Sequence, residues 1–394
     1  MIPSPLAAVA DERPRTFLLT PHGAAAAMFM AFGIGIGLWS GASATILAQA
    51  GVSAPAFGVA LTFYIATYLT AMSSGGFVGA RFGLRKVLLA GAPLLGLGVV
   101  LLLTVRSQGA LFASLIVFGA FAGLIDLTMN AEGARVEQDL GRPILAGLHG
   151  GASSGTALGA ILGSLIAVSV GSWLSALIAA AAFAVATALM FAATPDRGRD
   201  AAHAGPSGRR ALLTRSLIVL GVVIGVSMAS ESAALLWSSL LLQQEAPRLA
   251  AIAGLGAAFF CACQALLRLN ADRVRRLVSD RRLIVVSLGV AACGFLVVAL
   301  HAGFALSVVG FAIIGLGTGA VVPCGFAFAV SHRGFSAAAA LSTVALFGSL
   351  ARLPAPLAMG AIADYFSLAG AFALFAVVLA LALAAALVFI RDAG

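Results

Sequence analysis

Charge is what this chain has least of. Only 9% of its 394 residues are Asp, Glu, Lys or Arg, against roughly 25% in an average soluble domain, which excludes a soluble core wrapped in a solvated surface. Cysteine is as sparse. Cys261, Cys263, Cys293 and Cys324 all fall in apolar stretches, with no paired CxxC and no histidines at ligand spacing, so the thiols read as small buried hydrophobes and no metal site is expected. The sequence also lacks a Walker-type phosphate loop, an HExxH pair and a supported Ser/His/Asp set. Each of those motifs is the minimum for its chemistry, so the expectation is a non-enzyme without cofactors, driven by an ion or solute gradient if it does work at all. The net charge of +9 is spread in short basic clusters between apolar segments, a distribution that fits membrane topology and not nucleic acid.

What is abundant is hydrophobic length: 61% of the residues are apolar, in runs of about 20 residues that suffice to cross a hydrocarbon core roughly 30 Å thick. We place twelve spans at residues 22–47, 57–75, 86–105, 110–132, 145–168, 172–193, 213–242, 249–267, 282–301, 304–329, 336–360 and 368–390. The first run is too long for a cleaved signal peptide and has no small-residue cleavage site. Short cytoplasmic loops retain Lys and Arg. With both termini inside, twenty of the 23 basic residues fall on the cytoplasmic side, in the clusters around Arg13, Arg81, Arg135, Arg197, Arg268, Arg333 and Arg391. Only Arg106 and Arg248 fall outside, and Arg352 lies within a span. The expected setting is a bacterial inner membrane.

One long polar stretch divides the spans six and six. This sets the expected domains: an N-terminal six-helix bundle over 1–193, a cytoplasmic linker over 194–212 and a C-terminal six-helix bundle over 213–394. A basic cluster follows the second span (Gly76 to Lys86) and another the eighth (Arg268 to Arg276), which implies an internal repeat. Transporters built from repeats place their solute near the midplane, between the repeats.

Gly76, Arg81, Gly83, Arg85 and Lys86 match a signature between the second and third spans of the major facilitator superfamily, and the chain resembles that superfamily along its whole length. Ala80 stands where that signature carries Asp, whereas Asp272-Arg273 keeps the acidic-basic pair in the second half. The stretch from Asp126 through Asn130 and Glu132 to His149 and Gly159, together with Glu231 to Ser238, resembles the MosC/YbjJ-like branch related to fucose permeases. The resemblance implies a cytoplasmic gate formed by Gly76, Arg81, Gly83, Arg85, Lys86, Asp272 and Arg273, and a sugar or polyol as solute.

Ionisable groups inside a span cost about 2.5–3.5 kcal/mol at its centre, so each that persists calls for a partner or a task. Glu231 sits mid-span and is the leading candidate for proton coupling or solute binding, with Arg352 at comparable depth as a conceivable ion-pair partner. Asp126 and Asn130 lie one turn apart on one face, and His149, Ser153 and Ser154 begin the next span at similar depth. This set reads either as one polar patch or as interhelical bonds and a solvated loop. Glu132, Glu137 and Asp139 read as loop or gate salt bridges with Arg135 and Arg142. Trp39, Trp237, Tyr64 and Tyr68 fit stacking on a sugar face and equally fit an interfacial aromatic belt; Gln243, Gln244 and Gln264 are weaker polar candidates. Gly155, Gly159 and Gly163, and Gly315, Gly317 and Gly319, read as surfaces for close helix approach, and Pro323, Pro354 and Pro356 as bends in the tenth and eleventh spans.

The expectation is therefore an all-α membrane protein of two six-helix bundles, acting as a monomeric secondary transporter. Its partners are a small-molecule solute, a proton or other coupling ion, and the lipid bilayer, with no nucleic acid. Import of a sugar or polyol by proton symport stands first. Efflux of amphipathic compounds, favoured by few polar groups in the cavity, and a non-transporting sensor on the same fold are the rivals.

Overall fold

The computed structural model describes residues 16–195, 214–330 and 337–390, with the side chains of 271, 272, 337 and 338 outside the description. Most of the expected linker, Arg13, Arg197, Arg333, Arg391 and the side chain of Asp272 thus lie outside the described residues. Within them, fourteen α-helices form twelve segments long and apolar enough to cross a membrane. The first half holds α1 (Pro21–Gln49), α2 (Ala54–Phe82), α3 (Leu84–Leu103), α4 (Gln108–Leu140), α5 (Leu145–Ser169) and α6 (Trp173–Ala193). The second holds α7 (Arg215–Glu245), α8 (Leu255–Arg275), α9 (Asp280–Ala299), α10 (Phe304–Thr318) and α11 (Val321–Val330), then α12 (Ala337–Arg352), α13 (Ala355–Tyr365) and α14 (Leu368–Phe389). Each half packs as a six-span bundle. We call the side bearing residues 16 and 390 the terminal face and the other the opposite face.

Local signals explain where the helices start and stop. Thr20, Ser53, Ser107, Thr214, Ser279 and Ser367 each accept a backbone N–H of the following first turn, the ordinary work of an N-cap. Two helices overrun the expected ends. α2 continues from 75 to Phe82 and stops where Gly83 takes a φ of +88°; α4 continues from 132 to Leu140 and stops at Gly141, with a φ of +62°. Polarity ends a membrane core but does not end a helix; Gly76, Gly79 and Gly133 within these runs stay helical, and each helix stops only where a glycine takes a positive φ. Conversely, the eighth span opens with a separate 3-10 segment, Pro247–Ile252. The tenth and eleventh spans are broken, at Gly319–Ala320 and at Leu353–Pro354, as the prolines led us to expect, since Pro354 and Pro356 lack the N–H a continuous helix needs.

The two halves repeat in register. Arg85 donates to Phe191 O (2.8 Å) and Thr194 O (2.7 Å) at the end of α6; Arg281 donates to Leu387 O (3.0 Å) and Ile390 O at the end of α14. Both arginines bridge chain separations of 106 and 109 residues, so a shift of 196 carries one set onto the other. The same shift carries Leu84–Leu103 onto Asp280–Ala299. It also carries the contact of Gly119 with Tyr64 O onto that of Gly315 with Phe260 O.

Glycines bring backbones together where packing is tightest. A Cβ on Gly37 of α1 would stand 2.2 Å from Thr156 O, and one on Gly159 of α5 2.6 Å from Ile34 O, so the expected small-residue face of α5 meets a matching face of α1. The cysteines fit their expected place only in part: Cys261 and Cys324 are buried, but Cys263 is half-buried and Cys293 is exposed on the outer surface of the bundle.

Candidate functional site

Between the two bundles lies a cavity of about 270 Å³, near the lower end of ordinary small-ligand pockets at about 300–1,000 Å³. α1, α2, α4 and α5 line it from one half, and α7, α8 and α12 from the other. Toward the opposite face it is sealed. Trp39 and Trp237, each 1% exposed, flank the fully buried Phe57 at ring separations of 6.5 and 4.8 Å. Next to them Ser40 donates to Leu235 O, Ser239 donates to Ser40 O (2.8 Å), and the Ser43 and Ser239 hydroxyls meet at 3.0 Å. Ser164 reaches Ala251 O (3.1 Å) across the same seam, and Gly58 and Gly360 let α2 and α13 touch backbone to backbone. On the terminal side the wall is looser: His149 lines the cavity yet is exposed.

The charged groups are distributed unevenly. Glu231 of α7 pairs with Arg268 of α8 at 3.2 Å, and not with Arg352, the partner that comparable depth in the span had made conceivable. Both α8 and α12 pack against α7, and it is Arg268 of α8 that reaches the carboxylate; its Nε also donates to Gly319 O (3.4 Å), a carbonyl at the α10–α11 break. Arg352, last residue of α12, donates from Nη2 to Ser232 Oγ (3.0 Å) and stands 5.8 Å over the ring of Tyr68, a cation–π contact. Two buried polar atoms on this wall have no hydrogen-bond partner, Glu231 Oε1 and Arg352 Nε.

Across the cavity, Asp126 accepts a hydrogen bond from the Tyr68 hydroxyl and one from Asn130 Nδ2 at 2.9 Å. Asp126 and Asn130 therefore form the polar patch the spacing pointed to, set behind Tyr68 and not on the cavity wall itself. His149 and Ser153 line the wall; Ser154 faces away and is exposed. His149 packs edge-on to Phe29 with centroids 5.2 Å apart. Trp39 lines the cavity, whereas Trp237 belongs to the seal. Gln264 lines the cavity, bonded to Thr318 (3.2 Å), while Gln243 and Gln244 border a separate pocket at the opposite face.

The expected gate residues make contacts inside their own halves. Arg85 caps α6, Arg273 donates to Asn270 of its own helix (3.0 Å), and Arg81 lies over the neighbouring Phe82 ring. Lys86 and Gly76 are exposed, and Gly83 closes α2. Glu132 does pair with Arg135 (3.6 Å). Glu137, however, accepts the N–H groups of Ile144 and Leu145 at 2.7 and 2.9 Å; the free N-terminus of α5 offers two aligned donors, a better partner for a carboxylate than a solvated arginine.

Arg268 is the main residue that sequence reasoning assigned wrongly, as a cytoplasmic loop cation. The signal was present: Cys261, Gln264 and Arg268 recur at spacings of three and four and share one helical face, and all three line the cavity.

A family model described as Major Facilitator Superfamily matches residues 23–356. An MFS-type transporter of Yersinia pestis, itself uncharacterised, is 28% identical over 303 residues, 75% of this chain and 76% of that one. The membrane protein MosC of Rhizobium meliloti is 28% identical over 272 residues, 68% of this chain and 65% of its own. Among solved structures, the nucleoside transporter NupG superposes with a TM-score of 0.73 at 11% identity, covering 95% of this chain and all of that one.

Proposed function

Because this chain belongs to the Major Facilitator Superfamily and is a multi-pass membrane protein of a transporter family, we propose that it carries a sugar or polyol across the bacterial inner membrane by proton symport. The observation that carries the reading is the pair of unpartnered atoms on one cavity wall: Glu231 Oε1 is an acceptor and Arg352 Nε a donor. A buried polar group without a partner is costly, and hydroxyl groups, which both donate and accept, answer both at once. Tyr68, half-buried on the cavity wall, supplies aromatic surface for the carbon face of such a solute. With the terminal face cytoplasmic, as the basic residues direct, the cavity is open inward, and the residues from Gly76 to Lys86 with Asp272 and Arg273 would close it in the other state of an alternating-access cycle.

Asp126 is the proposed proton site. Its oxygens are held by Tyr68 and Asn130, neutral donors, while Glu231 is ion-paired with Arg268. The titratable and charged groups facing Asp126 are Tyr64 and Tyr68 on α2, His149 on α5 and Arg352 on α12. Efflux of amphipathic compounds loses its support, since the cavity wall carries Glu231, Arg268, Arg352, Gln264 and two tyrosines. Ligands that prefer the folded protein raise its melting temperature. A thermal-shift screen of detergent-purified protein against sugars, polyols, amino acids and cationic drugs at two pH values tests the proposal: stabilisation by sugars or polyols supports it, and stabilisation only by cationic drugs defeats it.

A further inference from the structure

The charged side chains lining the cavity are Glu231, Arg268, Arg352 and, when protonated, His149. Two permanent cations thus face one anion. Glu231 is committed to Arg268 at 3.2 Å, and both oxygens of Asp126 are occupied, with the Tyr68 ring between that carboxylate and Arg352. Arg352 is left with a serine hydroxyl on Nη2 and nothing on Nε. A guanidinium inside a membrane ordinarily has a carboxylate or carbonyl partner, and among the described residues no carboxylate reaches Arg352 within ion-pair distance.

We infer that the solute supplies that missing anion: it is a polyhydroxy acid, its carboxylate seated on Arg352 and a hydroxyl donating to Glu231 Oε1. The Nε edge of the guanidinium fits a planar carboxylate. Ser232 accepts from Arg352 Nη2 and gives its own hydroxyl proton to Met228 O (3.0 Å), which fixes that side of the guanidinium and leaves the Nε edge to the anion. Glu231 is the adjacent residue on α7, so both orphaned atoms fall within one small molecule's reach. A hydroxyl suits Glu231 better than an ammonium would, because Arg268 already neutralises that carboxylate. The inference rests on the polyhydroxy reading above and narrows it from neutral sugars to their acids. It also gives the proton a reason to travel. Once a solute carboxylate lies beside Arg352, Asp126 is a surplus negative charge, and a proton on it restores neutrality.

Calorimetric binding to the purified full-length protein, with glucuronate against glucose, gluconate against sorbitol, and serine as an amino acid, decides the matter at constant ionic strength. The expected result is at least tenfold tighter binding of each acid than of its neutral counterpart, a preference abolished in Arg352→Gln and partly retained in Arg352→Lys. Equal binding of acid and neutral sugar, or an acid preference that survives in Arg352→Gln, overturns the inference and leaves the sugar reading standing. Serine binding more tightly than either acid overturns it in favour of a zwitterion. Binding of none of the polyhydroxy compounds removes the sugar reading and this inference with it. Should Arg352→Gln not fold, the wild-type comparison of acid with neutral partner decides alone.

Discussion

Substituting Asp126 by Asn leaves a side chain of the same shape beside Tyr68 and Asn130 but removes its ability to take up a proton. The expected outcome is loss of proton-driven accumulation with solute exchange across equal concentrations preserved, measured in proteoliposomes; equal accumulation by both proteins contradicts it. Tyr68→Phe removes one hydrogen bond to that carboxylate, worth about 1.5–3 kcal/mol for a charged acceptor. It should shift the pH midpoint of transport while leaving neutral-pH binding within a few fold, as a pH profile of uptake will show. At this scale the sequence was legible where one helix carried the information: Asp126 and Asn130 share a face, and their bond follows from the i, i+4 spacing. It was illegible where two helices did. The spacing of Cys261, Gln264 and Arg268 puts Arg268 on one helical face but does not say which of Arg268 and Arg352 pairs with Glu231, because both α8 and α12 pack against α7 and the choice depends on side-chain reach and on a carbonyl at the break in a further span.

Between elements, the close packing of α1 on α5 is carried by glycines at four-residue spacing. Gly37→Val would drive its side chain into Thr156 O, 2.2 Å from the added Cβ, at a cost of about 1–3 kcal/mol, read as a lower melting temperature in detergent. Arg85→Ala and Arg281→Ala remove equivalent caps from α6 and α14. Each should destabilise its own half by about 1–2 kcal/mol, and equal losses would confirm the repeat energetically. The twelve spans were readable from hydrophobic length alone, and the breaks in the tenth and eleventh from their prolines. Helix ends were not, since α2 and α4 run on through polar sequence until a glycine takes a positive φ. The repeat was visible only as two basic clusters; its register emerged from which carbonyls Arg85 and Arg281 cap.

For the whole molecule, the two halves meet most tightly at the opposite face, with the cavity behind that seam. A Ser43→Cys/Ser239→Cys pair, replacing hydroxyls 3.0 Å apart, has the approach a disulfide needs. Its oxidation should lock the seam and stop transport, with recovery on reduction; full transport by the oxidised protein would mean that the seam does not open. The most direct test of the account is solute-driven proton movement in proteoliposomes containing an internal pH dye, with sugars, polyols and sugar acids added outside. The account predicts acidification of the lumen on addition of a transported solute by the wild-type protein and none by Asp126→Asn. Solute entering the wild-type vesicles with no change in internal pH, or the same acidification in the variant, would contradict it.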